Sequence, residues 1–211
     1  MDLNKEIIRY LGYGQNTPDE HVMALIQECR QSVRDVAEPK SIYRRFDVRV
    51  EGDEITCAGI TMKSSNLAKN LRGCHEVIFF AATLGSGVDR LLNRCERLEI
   101  SRAVVVQAVA AAVIEEYIDE CQQKIIDMLA EEKLFVRPRF SPGYGDLPLT
   151  IQSDFLRILN TAKTIGITLS DGNIMLPEKS VTAIMGISRE DSHCLISGCE
   201  LCDKSECEYR R

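Results

Sequence analysis

The sequence predicts a domain of the α+β class. Three observations support this prediction: apolar residues recur at helical spacing over 22–36 and 99–130, apolar and charged residues alternate over 46–50, and an almost continuous apolar run covers 76–85. Helices and strands do not alternate regularly along the chain, which argues against a doubly wound parallel sheet.

Two helices are predicted at the N-terminal end. The first covers residues 3–11 and ends at Gly12. The second begins in the stretch 17–20, where a capping side chain, a proline in the first turn and two acidic residues precede the apolar series. Pro39 ends this helix, because proline cannot continue the hydrogen-bonding pattern.

A hairpin and a short helix complete the N-terminal part. Alternating residues at 46–50 predict a half-buried strand, and the E-G-D sequence at 51–53 predicts a turn. Apolar positions within 55–62 then predict one returning strand. Ser64 or Ser65 is expected to cap the short helix that follows.

The next elements predict a buried strand and a series of helices. The apolar run 76–85 is typical of a strand that is covered on both faces. Helices are predicted over 87–97 and over roughly 99–130. After an irregular loop, Thr150 is expected to cap another helix that ends at Gly166. Short strands separated by turns are predicted beyond it.

Composition excludes some classes of partner. The chain has 211 residues and a net charge of −6, without a basic stripe, so nucleic acid is not expected as a partner. Its longest apolar run, 103–114, is shorter than the ~20 residues of a membrane span. The N-terminal residues are charged and contain no signal-peptide core. We therefore expect a cytoplasmic protein without a membrane partner.

Four of the nine cysteines cluster in a tail, 191–211, with the spacing C-x4-C-x2-C-x4-C. Four thiolates can bind zinc or an iron–sulfur cluster, and the spacing does not separate the two. The alternative is a tail whose cysteines are incidental. The candidate metal ligands are Cys194, Cys199, Cys202 and Cys207. The remaining cysteines are predicted to be small core residues: Cys29, Cys57, Cys74, Cys95 and Cys121.

A glycine-containing stretch, "TLGSGVD" at 83–89, follows the buried strand and precedes a helix. This context suits a dinucleotide loop, but Arg90 stands where the third glycine of G-x-G-x-x-G is required. We interpret the stretch as a turn between strand and helix.

The loop "RFSPGYGDLPLT", residues 139–150, has the composition of a binding loop. Arg139 can form two parallel hydrogen bonds to a carboxylate, and Pro142 stiffens the chain. Gly143 permits close approach of the backbone to a ligand, and Tyr144 offers a flat face with a polar tip. These residues fit a zwitterionic amino acid attached to a planar group. They fit a structural kink between two helices equally well.

The same loop carries a family resemblance. "RFSPGYGDLP", followed by "IGITLSDGNIMLPEKSVTAI", resembles the activation domain of cobalamin-dependent methionine synthase, which carries R-x-x-P-G-Y-P and then L-T-E-S-x-x-M-x-P-x-x-S-V-S. The resemblance is specific over 139–182 and looser over 76–130. The matching positions of the second motif are Leu169, Ser170, Asp171, Met175, Pro177, Ser180, Val181 and Thr182.

The resemblance implies a fold and a ligand. The fold would be one domain, 1–190, with helices on a twisted, mainly antiparallel sheet; 1–72 would be its helical and hairpin part and 73–190 its ligand-binding part. The ligand would be S-adenosylmethionine. The residues implied in its binding are Arg139, Ser141, Pro142, Gly143, Tyr144 and Glu116.

Two positions depart from the family pattern. Where the family carries an aromatic pair, this chain has Ile184 and Met185. The family glutamate that meets the ligand amine falls at Ala112, with Glu115 and Glu116 one turn further on.

The resemblance also implies a chemistry in which S-adenosylmethionine methylates cobalamin after reduction of Co(II), the cobalamin being held by a partner. The partner would be a cobalamin-binding methionine synthase or another corrinoid protein, with a separate electron donor. This chain would position the ligand and would have no complete active site of its own. Two alternatives stay open: a metal-bearing module for partner binding or electron transfer, and a reactivator of another corrinoid methyltransferase.

Overall fold

The structure, a computed structural model, describes residues 2–14 and 16–190. The helices are α1 (Leu3–Tyr10), α2 (Glu20–Val36), α3 (Ser65–Asn70), α4 (Ser86–Leu98), α5 (Ile100–Glu131), α6 (Gln152–Leu159) and α7 (Thr161–Thr164), with a 3-10 turn at Leu149–Ile151. The strands are β1 (Lys40–Glu51), β2 (Glu54–Cys57), β3 (Ile60–Lys63), β4 (Cys74–Thr83), β5 (Phe135–Val136), β6 (Thr168–Leu169), β7 (Met175–Leu176) and β8 (Ser180–Ser188).

Within the described residues, six strands form one sheet in the order β3-β2-β1-β4-β8-β5, and neighbouring strands are antiparallel throughout. β4 lies at the centre, paired with β1 over eight residues and with β8 over nine. β6 and β7 form a separate small hairpin. The predicted α+β class and the mainly antiparallel sheet are confirmed.

Both faces of β4 are covered, as its apolar sequence predicted. On one face, Ile78, Phe80 and Ala82 pack in a core with α1, α2, α4 and α5. On the other face, Phe79 packs in a second core with α3 and α6. Its ring contacts those of Phe46 and Phe155, at centroid distances of 5.7 and 4.5 Å.

The two N-terminal helices begin at aspartates. Asp2 caps α1 by accepting hydrogen bonds from two backbone amides, and Asp19 caps α2 by accepting one from the Val22 amide at 2.8 Å. The helix predicted to begin in 17–20 therefore begins later than expected: Asp19, and not Thr17, is the cap, so Pro18 precedes the helix instead of lying in its first turn. Ser64, one of the two predicted caps, accepts from the Leu67 amide at 3.0 Å and begins α3.

Three predicted elements differ in detail. The returning strand at 55–62 is two strands, since Ala58 and Gly59 form a tight turn with φ of 50° and 77°. The helix after the loop ends at Leu159, seven residues before Gly166, because Asn160 adopts the left-handed conformation with φ of 53°. Thr150 lies inside the 3-10 turn and makes no capping hydrogen bond.

The C-terminal part also contains a longer strand than expected. β8 spans nine residues and pairs along the whole of β4, whereas the sequence predicted only short strands there. The five cysteines outside the tail are buried, which confirms their prediction as core residues. Burial raises the pKa of the Cys57 thiol to about 12 and that of Cys29 to about 11. None of the helices in 2–14 and 16–190 is both long and apolar enough to span a membrane.

The two glycines of "TLGSGVD" allow α4 to pack closely against the end of α2. Gly85 has a φ of 81° and lies against Glu38, and Gly87 lies so close to Val36 that a Cβ would fall 2.1 Å from its carbonyl oxygen. The Thr83 hydroxyl accepts from the Gly85 amide at 3.0 Å and closes the turn. Packing thus accounts for both glycines.

Replacing Gly87 with alanine should destabilise the fold. The added methyl group has to displace the α2 backbone, at a cost of about 1 to 3 kcal/mol, and the better helix propensity of alanine offsets about 1 kcal/mol of that. Because the added methyl group meets backbone, which cannot rotate away, we expect the upper part of this range and a net fall in the free energy of unfolding of about 1 to 2 kcal/mol in urea titrations. Gly172→Ala is the control, because no atom lies within 4 Å of its Cβ position. Equal stability of the two variants would contradict the close approach.

Candidate functional site

The candidate loop lies along the edge of β8, beyond the point where β5 ends. The Arg137 amide donates to the Gly186 carbonyl at 2.8 Å. Phe140 and Ile184 then exchange a pair of backbone hydrogen bonds of 2.9 and 2.8 Å. These contacts hold the backbone on both sides of Arg139, so the position of its side chain is set by the sheet.

The Arg139 guanidinium is held by one face of α5. Its Nη2 lies 2.7 Å from Asp119 Oδ1 and 3.8 Å from Glu115 Oε2. Its Nη1 donates to the side-chain oxygen of Gln122 and to the Ile118 carbonyl at 3.4 Å. The Arg139 side chain is 20% exposed and that of Asp119 is 46% exposed. A cation beside two carboxylates, partly open to solvent, is complementary to a ligand that carries both charges.

Glu115, rather than Glu116, lies beside Arg139. Successive residues of an α-helix are about 100° apart around its axis, so Glu116 cannot share the face that holds Glu115, Asp119 and Gln122. Arg139 makes its hydrogen bonds and ion pairs with that face. Asp119 and Gln122 were not predicted as site residues, although their i+4 and i+7 spacing from Glu115 indicates a shared polar face.

Residues 141–144 form a tight turn at the tip of the loop. The Tyr144 amide donates to the Ser141 carbonyl at 3.0 Å, and the Gly143 amide donates to Leu147 at 2.9 Å. Gly143 has a φ of 84° and is exposed, whereas Pro142 is buried. The structure therefore brings Ser141, Pro142, Gly143 and Tyr144 together, with the glycine backbone facing solvent.

Aromatic packing fixes the ring of Tyr144. It meets the ring of Phe140 edge to face, with centroids 5.3 Å apart. Phe140 is only 2% exposed and belongs to the core between the sheet and α6. Tyr144 is half-buried, so part of its surface stays open for contact with a ligand.

Asp146 anchors the loop to the start of α3. Its carboxylate accepts hydrogen bonds from the Ser64 hydroxyl, from the Ser65 amide at 2.7 Å and from the Asn66 amide at 3.2 Å. Gly145, at φ 55°, lies so near Asn66 that a Cβ would fall 2.7 Å from its Nδ2. The loop is thus fixed at two points, the β8 edge and α3.

The Asp146 carboxylate should stabilise the fold at neutral pH, and this contribution should be lost in acid. Burial acts to raise the pKa of Asp146, but hydrogen bonds from Ser64, Asn66 and Ser65 outweigh it and lower the pKa below its ordinary value. A carboxyl group whose pKa is lower in the folded state stabilises the fold fully at pH values above its unfolded-state pKa. This stabilisation is lost as the pH falls through its folded-state pKa.

Asp146→Asn is therefore expected to lower the free energy of unfolding by about 1 kcal/mol near pH 7. The difference from the unchanged protein should shrink in acid, as the pH falls through the folded-state pKa of Asp146 and the carboxyl becomes protonated in both states. Urea titrations near neutral pH and over a series of acidic pH values measure it. Asp171→Asn, at an exposed turn, is the control and should have little effect at any of these pH values. A loss of unfolding free energy that is the same at every pH would contradict the role of the Asp146 charge.

The two positions that depart from the family pattern lie inside the protein. Ile184 and Met185 are both fully buried in β8, paired with Phe79 and Ile78 of β4. Their side chains belong to opposite cores, Ile184 to the one beneath the loop and Met185 to the one covered by α5. Neither contributes to the surface that surrounds Arg139.

The predicted metal ligands, Cys194, Cys199, Cys202 and Cys207, lie outside the described residues. Within 2–14 and 16–190, no group of three or more histidine, cysteine, aspartate or glutamate side chains could hold a metal ion. The metal prediction therefore rests on the cysteine spacing alone.

Comparison with known proteins connects the fold to a solved structure. No protein-family description matches the sequence, and no curated protein does. The structure is similar to the crystal structure of the MetH reactivation domain bound to AdoHcy, with a TM-score of 0.63 and 16% sequence identity. The match covers 89% of this chain and 77% of that one. The chain therefore has the fold of the MetH reactivation domain, which confirms the resemblance inferred from its motifs.

Proposed function

We propose that the protein binds S-adenosylmethionine at Arg139 and supports the reductive methylation of Co(II) cobalamin on a partner protein. One observation carries the proposal: the chain has the fold of a domain solved with AdoHcy, and its "RFSPGY" loop lies at the edge of the central sheet. AdoHcy is what remains of S-adenosylmethionine after its methyl group has left, so a site that fits one is expected to fit the other.

The polar face of α5 would bind the amino-acid end of the ligand. Arg139 can donate two parallel hydrogen bonds to the ligand carboxylate once it exchanges Asp119, its more exposed partner, for the ligand. Glu115, 3.8 Å from the guanidinium, would then attract the ligand ammonium group. We propose Glu115 for this role in place of Glu116, because only Glu115 lies on the face that contacts Arg139.

The turn at 141–144 would hold the rest of the ligand. The exposed backbone of Gly143 permits close approach, and Pro142 and Ser141 keep the turn rigid. Tyr144, whose ring packs edge to face against that of Phe140, would contact the planar adenine or the ribose.

The bound ligand would supply the methyl group, and the partner's cobalamin would receive it after reduction by a separate electron donor. The contribution of this chain is positioning: Arg139 and Glu115 orient one end of the ligand, and the loop backbone orients the other. Residues 1–190 would act as one domain, with 73–190 carrying the ligand. The client would be a cobalamin-binding methionine synthase or another corrinoid methyltransferase.

A second candidate function rests on the tail. The C-x4-C-x2-C-x4-C spacing favours a zinc or iron–sulfur site, in a module for partner binding or electron transfer. Metal analysis and electron paramagnetic resonance of protein purified without oxygen test this candidate. Stoichiometric zinc in a colourless protein would exclude the electron-transfer version.

Isothermal titration calorimetry with S-adenosylmethionine and with AdoHcy tests the primary proposal. Both ligands should bind at a single site, whereas adenosine and methionine separately should bind much more weakly, since each reaches only one half of the site. A folded protein that gives no heat with ~1 mM S-adenosylmethionine would overturn the proposal, because affinity weaker than that supplies only ~4 kcal/mol.

Variants of the neighbouring residues Glu115 and Glu116 test which of them meets the ligand amine. Glu115→Gln should weaken S-adenosylmethionine binding about fivefold, which corresponds to about 1 kcal/mol for one charge-assisted contact. Glu116→Gln removes the same charge from the neighbouring position and should leave the affinity unchanged. The opposite result would identify Glu116 as the residue that meets the ligand amine.

A further inference from the structure

One edge of β1 is unpaired over most of its length. β1 pairs with β4 through residues 40–47, whereas β2 pairs only with residues 48–51. Among the strands of 2–14 and 16–190, none pairs with the other edge of β1 over 40–46. An unpaired strand edge is a template for pairing with another chain. We call residues 40–46 of β1 the free edge.

The hydrogen-bonding pattern of the sheet shows which backbone groups of β1 point away from β4. Phe140 and Ile184 exchange a pair of backbone hydrogen bonds, so Ile184 faces the loop and its neighbour Met185 faces β4. The strand register carries this alternation through β4, so the even-numbered residues of β1 bond to β4 and the odd-numbered residues face away. The two-residue hairpin between β1 and β2 gives the same assignment, because its closing pair is Glu51 and Glu54.

The outward-facing residues of the free edge are Ser41, Tyr43 and Arg45. All three are exposed, and within the part of the chain that the structure describes their backbone amides and carbonyls make no hydrogen bond. Each therefore offers one donor and one acceptor to an added strand.

The side chains between them carry a cation that lacks a counter-ion. Ile42 and Phe46 are half-buried beside the second core, and the exposed Arg44 lies between them on the same face of the strand. Arg44 donates to the Ile158 carbonyl at 3.3 Å but makes no ion pair with another described residue. A strand beside the free edge is therefore expected to carry an acidic residue opposite Arg44.

A second copy of β1 does not meet this requirement. Two copies that pair their outward-facing residues about a two-fold axis place Arg44 opposite or diagonal to Arg44 or Lys40 of the other copy in every register within the free edge. Like charges across a strand pair are destabilising. Charge complementarity thus favours a different, acidic strand.

We propose that the free edge binds an extended segment of a partner protein as an added antiparallel strand with the pattern apolar-x-acidic-x-apolar. Backbone hydrogen bonds supply the affinity in this mode of binding, and alternate side chains supply the specificity. The acidic residue lies opposite Arg44, and the apolar residues lie opposite Ile42 and Phe46. The chain's own tail, 191–211, contains no sequence of this pattern, so the segment belongs to another protein.

The added strand does not reach the proposed ligand site. β1 and β8 lie on opposite sides of β4, and the loop at Phe140 lies beyond β8. Strand spacings of about 4.8 Å place the added strand about 19 Å from that loop. The two kinds of binding can therefore be lost separately, and the failure of either proposal leaves the other intact.

Residue-resolved hydrogen exchange of the full chain tests whether the edge is open. The amides of Ser41, Tyr43 and Arg45 should exchange at least ~10-fold faster than those of the even-numbered residues beside them. Protection of these three amides in the free protein would overturn the proposal. Protection that rises with protein concentration would also overturn it, because it would identify a second copy as the occupant.

The synthetic peptide STVTETVTS has the proposed pattern and is the probe for binding. At about 2 mM it should shift the amide signals of the free edge in NMR spectra of the full chain. N-methylation of the two threonines beside the glutamate removes the amides that face β1 and should abolish binding. N-methylation of the glutamate and the two valines, whose amides face away, is the matched control and should change the affinity less than about threefold. Absence of shifts with the unmodified peptide, or equal binding of the two methylated peptides, would overturn the proposal.

A charge exchange tests the role of Arg44. Arg44→Glu should weaken binding of STVTETVTS at least ~3-fold and strengthen binding of STVTKTVTS, in which lysine replaces the glutamate, by a similar factor. Arg97→Glu is the matched control, because Arg97 is exposed on α4 and makes no ion pair with another described residue. Circular dichroism establishes that both variants are folded. Equal effects of the two variants on both peptides would show that Arg44 does not select the acidic residue, and the proposed pattern would be wrong.

Discussion

Replacing Arg139 with alanine is expected to weaken S-adenosylmethionine binding about 10- to 150-fold, which corresponds to about 1.5 to 3 kcal/mol for hydrogen bonds to a charged group. The variant removes the cation that lies 2.7 Å from Asp119 and leaves two acidic side chains, Glu115 and Asp119, at the site. Those carboxylates would then repel the ligand carboxylate. The fold should persist, since the neighbouring backbone is held by Phe140 and Ile184. Calorimetry with the ligand and a thermal melt measure the two effects.

Two further variants sharpen this prediction. Arg139→Lys keeps the charge but loses the planar pair of donors, so its affinity should lie between those of alanine and arginine. Arg157→Ala is the control, because Arg157 is 65% exposed and pairs with Asp154 of the same helix. If Arg139→Ala binds S-adenosylmethionine as tightly as the unchanged protein does, Arg139 is not part of the ligand site, even though the chain has the fold of the reactivation domain.

Elements that depend on local signals could be predicted from the sequence. The apolar run of β4 and the cap of α3 by Ser64 follow from a few adjacent residues. The early end of α6 was not predicted, although it depends on a left-handed conformation at Asn160, which asparagine adopts more readily than other non-glycine residues; Gly166 was the stronger local signal for a helix end. The length of β8 depends on pairing with β4, about a hundred residues earlier in the chain.

Only the part of the candidate site that is contiguous in sequence could be predicted. Arg139 and its turn are contiguous, so residue chemistry and the motif together indicate a binding loop. The polar face of α5 lies about 20 residues earlier, and the sequence does not reveal which face of that helix meets the loop. The ungapped comparison with the family pattern falls on Ala112, and Glu116, the substitute one turn further on, lies one position from the residue that contacts Arg139.

The position of Met185 could not be predicted from the strand pattern, because β8 is buried on both faces and shows no alternation of apolar and polar residues. Restoring an aromatic residue there, as the family pattern suggests, is expected to damage the protein rather than improve binding. Met185 is fully buried among residues of α5 and β4. Met185→Tyr adds volume at about 1 to 3 kcal/mol and buries a hydroxyl without a partner at about 1 to 3 kcal/mol more.

We therefore expect Met185→Tyr to lower the free energy of unfolding by about 2 to 6 kcal/mol in urea titrations. Met185→Leu is the matched control, because it conserves volume and should cost less than about 1.5 kcal/mol. The affinity for S-adenosylmethionine per folded molecule should not rise in either variant, since the side chain faces the core beneath α5. A stable Met185→Tyr protein with tighter binding would place this residue against the ligand and would contradict both its burial and the site at Arg139.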